Sequence, residues 1–307
     1  MGDLAIAERV LREALGSRLR TDHPIAPLTT FRIGGPAALF VEADDDAALA
    51  AVARATAAGG VPVAVIGKGS NILVSDRGYP GIVVRLGRGY RWAAREDDTL
   101  AAGGSMPLPA LAGIALRHGL TGLEFGVAIP ATLGGAVKMN AGAHDGSMSE
   151  VLERIDVFSV PEATRRSLSA GEAGFAYRRS SLPDGGIVVG ATVRLHPGDE
   201  GEIRAGMDEA RSWRRRTQPL AEPNCGSVFK NPDGNHAARL VESVGAKGLR
   251  VGGARVSEKH ANFIVVDPGA SASDVWTLME RVRGMVADAT GIRLETEVQA
   301  IGEVAGA

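Results

Sequence analysis

Val61–Val74, VPVAVIGKGSNILV, places two short apolar runs on either side of a small, polar, glycine-bearing loop. The run from Val61 to Ile66 is brief and β-branched, which predicts a buried strand. Gly67, Gly69 and Ser70 let the backbone turn tightly and bring successive N–H groups to one face, where they bind an anion, most often a phosphate. A dinucleotide turn needs a third glycine three positions after Gly69, where Ile72 stands; a Walker loop needs one five before Gly67, where Pro62 stands. The chain instead enters Ile72-Leu73-Val74 directly and turns at Asp76 and Gly78. The pattern is strand, loop, strand. A glycine-rich hairpin fits these residues as well as an anion nest does.

Working outward, 307 residues are enough for two or three domains and a substantial core. A net charge of −2 gives no general reason to expect nucleic acid. With 41 glycines, above the usual ~7%, many tight turns or close backbone approaches are expected. A single cysteine allows no internal disulfide and fits a reducing compartment. The first twenty residues are amphipathic and of mixed charge, without a signal-peptide core. Thr99–Leu116, the longest run without charge, is broken by glycine and proline and does not read as a membrane span. A soluble cytoplasmic protein is expected.

Leu4 to Leu19 predicts an apolar-striped helix, and Asp44–Ala58 an alanine-rich helix stopped by Gly59-Gly60. Thr29–Ala37 is turn-rich, and Gly81–Leu86 is a strand. Pro107–His118 predicts a helix, and Val151–Val160 and Ile187–Leu195 predict strands. Between the helix and these strands, Gly122–Ala143 is a second glycine-rich passage. Its Gly134-Gly135 pair would suit backbone lying flat against a planar ligand, or a glycine-rich core turn. Tyr177 and Arg178 sit in a loop. Asp199–Arg216 is a helix whose basic end complements its dipole. Asn235–Val244, Arg250–Val256, Ala261–Val266, Ser273–Thr290 and Ile292–Ile301 then alternate helix and strand. The expected division is 1–86, 87–198 and 199–307, three α/β units packed together.

Site motifs are sparse. The histidines lack HExxH spacing and one cysteine makes no zinc cluster, so no metal is expected. There is no G-x-S-x-G elbow. Cys225 reads as packing. Ser227 follows a glycine in what reads as a loop between helices. Glu295 and Glu297 share parity in a predicted strand and so face one side; a buried acid there can stay protonated and donate.

TFRIGGPA, VIGKGSNILV, EFGVAIPATLGGAVKMNAGA, FAYRRSS, PNCGSVFKNP, SEKHANFIV and ETEVQAIGE occur in this order from about Leu28 to Glu303. Together they closely resemble the UDP-N-acetylenolpyruvoylglucosamine reductase family (MurB, UDP-N-acetylmuramate dehydrogenase) of bacterial peptidoglycan precursor synthesis. The resemblance implies an α+β architecture: an FAD-binding domain of the vanillyl-alcohol-oxidase (PCMH) type made of two α/β subdomains, plus a C-terminal α/β domain for the UDP-sugar. It implies an FAD oxidoreductase in which NADPH supplies hydride to the flavin and the enolpyruvyl ether of the UDP-sugar then receives it. The short LPDGG link between Ser181 and Ile187 resembles the second subtype, which lacks a substrate-capping tyrosine loop. Monomeric action is expected.

Carried over residue by residue, Arg178 and Glu297 match the positions that stabilise the enolate, being set before the charge appears. Ser227 matches the proton donor to the α-carbon; a hydroxyl is a poor free acid and needs a carbanion-like partner and a water relay. Ile66, Gly67, Lys68, Gly69, Ser70 and Asn71 match the FAD pyrophosphate loop, with Ile129, Pro130, Thr132 and Gly135 near the cofactor. Tyr177, Gln218, Lys230 and Asn231 are candidates for the UDP-sugar. Lys68 and Ala131 stand where many relatives carry glycine, and Gln299 where some carry arginine. Ala131 is tolerable if its φ is negative. Two rival classes share these features: an FAD oxidase of another substrate, betrayed by fast oxygen reactivity, and a silent flavin-binding protein, against which the trio Arg178, Ser227 and Glu297 argues.

Overall fold

The computed structural model describes residues 2–144 and 146–303. The chain forms two compact units, Met1–Thr21 with Leu39–Lys68 and Gly81–Arg214, and Asp22–Ala38 with Gly69–Pro80 and Arg215–Ala307. Polar caps set the helix ends. In the first unit Asp3 accepts from the N–H groups of Ala5 and Ile6 to start Leu4–Leu15, and Asp45 accepts from Ala48 N–H to start Asp46–Gly59. Each such cap is worth about 1 kcal/mol. Ala7, Leu11 and Leu15 are the buried stripe of the first helix.

Two sheets organise the first unit. One runs in the order Leu19–Pro24, Pro36–Ala43, Tyr79–Leu86, Val63–Val65. The other is five-stranded and antiparallel, in the order Thr164–Ser169, Leu152–Ser159, Gly186–Arg194, Thr99–Gly103, Ala93–Glu96. Each has its own apolar core: Leu11, Val41, Leu49, Val52 and Ile82 fill one, and Leu100, Leu108, Leu111, Leu133 and Ile155 the other.

The second unit is discontinuous in sequence because distant segments share one core. Phe31, Ile33 and Leu73 are buried with Phe229, Leu240, Ile264, Leu278 and Val282. Ile72–Val74 pairs in parallel with Gln299–Ile301, and a sheet in the order Asn224–Ser227, Phe263–Val266, Ala254–Val256, Arg250–Val251 completes it. The helix Ala272–Thr290 opens on a reciprocal capping box between Ser271 and Asp274 and ends at Gly291.

Several sequence expectations need correcting. Val61–Ile66 is not a buried strand. Only Val63–Val65 is extended, at a sheet edge and parallel to Tyr79–Leu86, with Val65 42% exposed because an edge has one neighbour fewer. The hairpin reading of Val61–Val74 also fails, since Val63–Val65 pairs with Tyr79–Leu86 and Ile72–Val74 with Gln299–Ile301. Ser227 does not lie in a loop; it ends the strand Asn224–Ser227 opposite Phe263. Arg250–Val256 is a tight hairpin rather than one strand, with Val251 facing Ala254 around Gly252-Gly253. Ile292–Ile301 is extended as a strand only over Gln299–Ile301, apart from an isolated bridge between Thr296 and Phe229.

Candidate active site

The hydrogen bonding of the loop after Val63–Val65 suits an anion nest. Among the described residues, none accepts a hydrogen bond from the backbone N–H of Gly67, Lys68, Gly69, Ser70 or Asn71. The carbonyl side of the loop is tied down: Gly69 O accepts from Thr30 N–H at 3.0 Å and from Thr30 Oγ1 at 3.3 Å. In the second unit, Gly69, Ser70 and Asn71 are successive amides without acceptors beside a fixed carbonyl, which can donate to an oxyanion such as a pyrophosphate. Lys68 is exposed and adds charge without blocking the backbone.

Two glycines are required here for different reasons. A Cβ on Gly67 would lie 2.5 Å from Thr132 Oγ1, so in the first unit the loop's start touches the second glycine-rich passage. Gly69 has φ +61°, and a Cβ on it would lie 2.3 Å from the Leu28 carbonyl oxygen, so its glycine serves the backbone of the second unit itself. The Asn71 side chain donates to Glu297 O at 3.0 Å and its carbonyl accepts from Gln299 N–H at 3.0 Å. Asn71 is thereby held through one of its two side-chain N–H groups and its backbone carbonyl, with its backbone N–H facing no protein acceptor among the described residues.

Thr132 Oγ1 accepts from Gly135 N–H at 3.3 Å and caps the short helix Leu133–Lys138. Pro130 and Gly135 are exposed and Ile129 is half-buried. Ala131 is not among the residues of positive φ, which meets the condition for replacing a glycine there. The Gly134-Gly135 pair divides its labour. Gly134 donates to Gly104 O at 2.9 Å and is pressed against backbone, as a core turn requires; only Gly135 has an open face for a ligand.

Arg178 sits at the tip of a two-residue turn closed by reciprocal hydrogen bonds between Ala176 and Arg179, at 3.0 and 3.1 Å. Its φ is +55°, a conformation costly for a side-chain-bearing residue and associated with functional positions. Its Nη2 donates to Gly142 O at 3.0 Å, and its guanidinium carbon lies 5.0 Å from the ring centroid of Tyr177, which is 52% exposed. The turn is moored to the first unit by two buried side chains. Asn140 Nδ2 donates to Ala176 O at 3.1 Å while Asn140 Oδ1 accepts from Ser149 N–H, and Ser180 Oγ donates to Lys138 O at 2.7 Å. Sequence reading passed over Asn140; its one signal was a polar residue among small ones in KMNAGA.

In the second unit Ser227 and Glu297 are brought onto neighbouring segments. Glu297 N–H donates to Val228 O at 2.9 Å, and Lys230 N–H to Glu295 O at 2.9 Å. Both side chains are half-buried. Cys225, two residues before Ser227, is 2% exposed; burial pushes its thiol far up, so it is neither thiolate nor nucleophile. Lys230 Nζ lies 3.1 Å from Glu295 Oε2, a solvent-facing pair worth at most about 1 kcal/mol, which leaves the ammonium able to meet a phosphate. Asn231 Oδ1 accepts from Ala237 N–H at 3.0 Å, and Gln218 is half-buried. A hydroxyl and a carboxyl on adjacent segments can pass a proton, and a fixed guanidinium can meet a developing carboxylate or enolate charge.

Residues 37–168 match the family model of an FAD-binding domain, and residues 218–301 match that of the UDP-N-acetylenolpyruvoylglucosamine reductase C-terminal domain. The chain is 44% identical to the UDP-N-acetylenolpyruvoylglucosamine reductase of Heliobacterium modesticaldum over 97% of this chain and 95% of that one. Among solved structures, the enzyme of the same name from Thermus caldophilus aligns with 38% identity and a TM-score of 0.81, over 92% of this chain and 100% of that one. A berberine bridge enzyme variant, 12% identical, shares the fold alone, with a TM-score of 0.50 over 73% of this chain and 51% of that one. The architecture is thus an α+β one carrying an FAD-binding domain of the vanillyl-alcohol-oxidase type, and the chain belongs to the UDP-N-acetylenolpyruvoylglucosamine reductase family.

Proposed function

We propose that this enzyme reduces the enolpyruvyl ether of UDP-N-acetylglucosamine enolpyruvate to UDP-N-acetylmuramate for peptidoglycan precursor synthesis, with FAD as cofactor and NADPH as hydride source. FAD, when bound, supplies the hydride chemistry between NADPH and the substrate double bond. The amides of Gly67–Asn71 hold its pyrophosphate, with Ile66, Ile129, Pro130, Thr132 and Gly135 beside it. Arg178 holds the substrate carboxylate and the negative charge that spreads into it. Glu297 donates a hydrogen bond to the same charge. Ser227 delivers a proton to the α-carbon. Lys230, Asn231, Gln218 and Tyr177 bind the UDP-sugar. The LPDGG link closes as a tight turn, with Gly186 N–H donating to Pro183 O at 2.9 Å, which supports the subtype without a capping loop. The enzyme acts as a monomer in the cytoplasm; no helix of the described residues is long and apolar enough to cross a membrane.

The observation that carries this reading is the neighbouring placement of Ser227 and Glu297, through Glu297 N–H to Val228 O at 2.9 Å, on a chain with an FAD-binding domain. The test is anaerobic. Purified protein should be yellow, bleach with NADPH and regain its colour on adding the enolpyruvyl substrate. Bleaching followed by recolouring only with oxygen would refute the assigned substrate.

A further inference from the structure

We propose that Asn262 is the positioning residue for Ser227, an inference that rests on the reading of Ser227 as proton donor. The pairing between Asn224–Ser227 and Phe263–Val266 shifts register between Asn224 and Ser227 and ends at the pair Ser227 and Phe263. Immediately beyond it the next two residues are held mainly by Asn262. Val228 N–H donates to the Asn262 backbone carbonyl at 2.9 Å. Phe229 N–H donates to Asn262 Oδ1 at 3.0 Å, and Asn262 Nδ2 donates back to Phe229 O at 2.8 Å. Of the four backbone polar groups of Val228 and Phe229, three are satisfied by Asn262 and the fourth by Glu297 N–H. The side-chain amide thus stands in for a missing strand residue, and only one of its two flip states makes both bonds.

The clasp is buried: Asn262 is 3% and Phe229 1% exposed. Water cannot readily replace a lost partner there, so without Asn262 the segment after Ser227 must shift to find new ones. Its opposite edge carries Glu297, so a shift moves the hydroxyl relative to the carboxyl. A misplacement of about 1 Å in a reacting geometry can cost ~10²-fold. Asn262 touches no reacting atom in this scheme; it acts through Ser227.

The test uses the holoenzyme and anaerobic stopped flow, with NADPH bleaching and substrate recolouring followed separately. Asn262→Asp keeps the shape and the bond from Phe229 N–H but sets a carboxylate oxygen against Phe229 O; Asn262→Ala removes both bonds. Each should slow recolouring at saturating substrate by ~10–10²-fold and leave bleaching within about twofold. Asn262→Asp combined with Ser227→Ala should be no slower than Ser227→Ala alone, because both act on the same proton. Amide exchange gives a second readout: the Phe229 N–H should be protected in the parent and in Asn262→Asp, which keeps its acceptor, and exposed in Asn262→Ala. Loss of flavin, or equal loss in both half-reactions, in Asn262→Asp would make Asn262 a general folding residue and overturn the inference. So would normal recolouring in Asn262→Asp when Ser227→Ala is slow. If Ser227→Ala itself recolours normally, the proton-donor reading fails first and takes the positioning role with it.

Discussion

Gly67→Ala tests the meeting of the two glycine-rich passages. The added Cβ would lie 2.5 Å from Thr132 Oγ1, where ordinary contact begins at 3.4 Å, so the threonine must retreat by about 0.9 Å. Thr132 is 9% exposed and its hydroxyl caps the next helix through Gly135 N–H, so it has little freedom to move. Turning away forfeits the cap, about 1 kcal/mol, and forces an off-rotamer side chain, about another 1 kcal/mol. If that strain is felt when the loop takes its cofactor-holding form, FAD affinity falls by about 30-fold, since each 1.4 kcal/mol is tenfold. Thr132→Ala removes the obstructing oxygen at the cost of the cap alone. The double variant should therefore bind FAD as Thr132→Ala does, with a coupling of about 2 kcal/mol between the two sites. The assay is titration of apoprotein with FAD by flavin fluorescence, with thermal midpoints alongside. A Gly67→Ala protein within threefold of the parent, or a double variant showing the sum of both losses, would refute the reasoning. Gly69→Val is a poorer probe of the nest, because its side chain would strike the Leu28 carbonyl and destabilise the unit before any cofactor is involved.

Three further outcomes are expected. Arg178→Ala should slow substrate recolouring by ~10²-fold or more while leaving bleaching intact, and Arg178→Lys should recover little of it, because a point charge does not replace a planar fork; Glu297→Gln should do less than Arg178→Ala, and unchanged recolouring in both would place the enolate contact elsewhere. Burial, and then the Lys247 charge, hold His260 below the ordinary histidine value, so the fold favours its neutral form. Its contribution is full above pH ~6.5 and is lost as pH falls from there through the folded value, so melting midpoints should drop between pH 7.5 and 5.5 and drop less in His260→Gln; equal slopes would clear His260 of the effect. Cys225→Ser should leave both half-reactions within about twofold but lower the melting midpoint, since a buried unpaired hydroxyl costs roughly 1–3 kcal/mol; a change in either rate would give Cys225 a part beyond packing.

What was legible in the sequence follows the range of the signal. Helix ends were readable because caps are local: Gly60 ends one helix and Gly291 another, while Asp45 and Ser271 start them. The nest proposal could be framed from sequence because its donors are consecutive residues. The edge position of Val63–Val65 was not, because the same β-branched run serves a central or an edge strand, and only its partners decide. The discontinuous second unit was hidden for a like reason. Phe31 and Leu73 carry no local mark that their core lies around Leu278.

The candidate reactive residues show the same division more sharply. Nothing around Ser227 or Glu297 distinguishes them as chemistry by pattern; the family positions did that, and the fold adds why the two come together. Parity put Glu295 and Glu297 on one side, and the local bridge at Thr296 keeps them in that alternation. Yet their settings differ: Glu295 is exposed and answers Lys230, whereas Glu297 is half-buried behind Val228 and Asn71. Alternation fixes a direction, and burial depends on what the other chain segments bring to that side. Asn262 makes the point in reverse. A polar residue opening the apolar run Phe263–Val266 was visible, but its clasp reaches Phe229, 33 residues away, and only the folded unit reveals the partner. A buried polar side chain in such a run is therefore a question about a distant backbone, and here the backbone it answers is the one that carries Ser227.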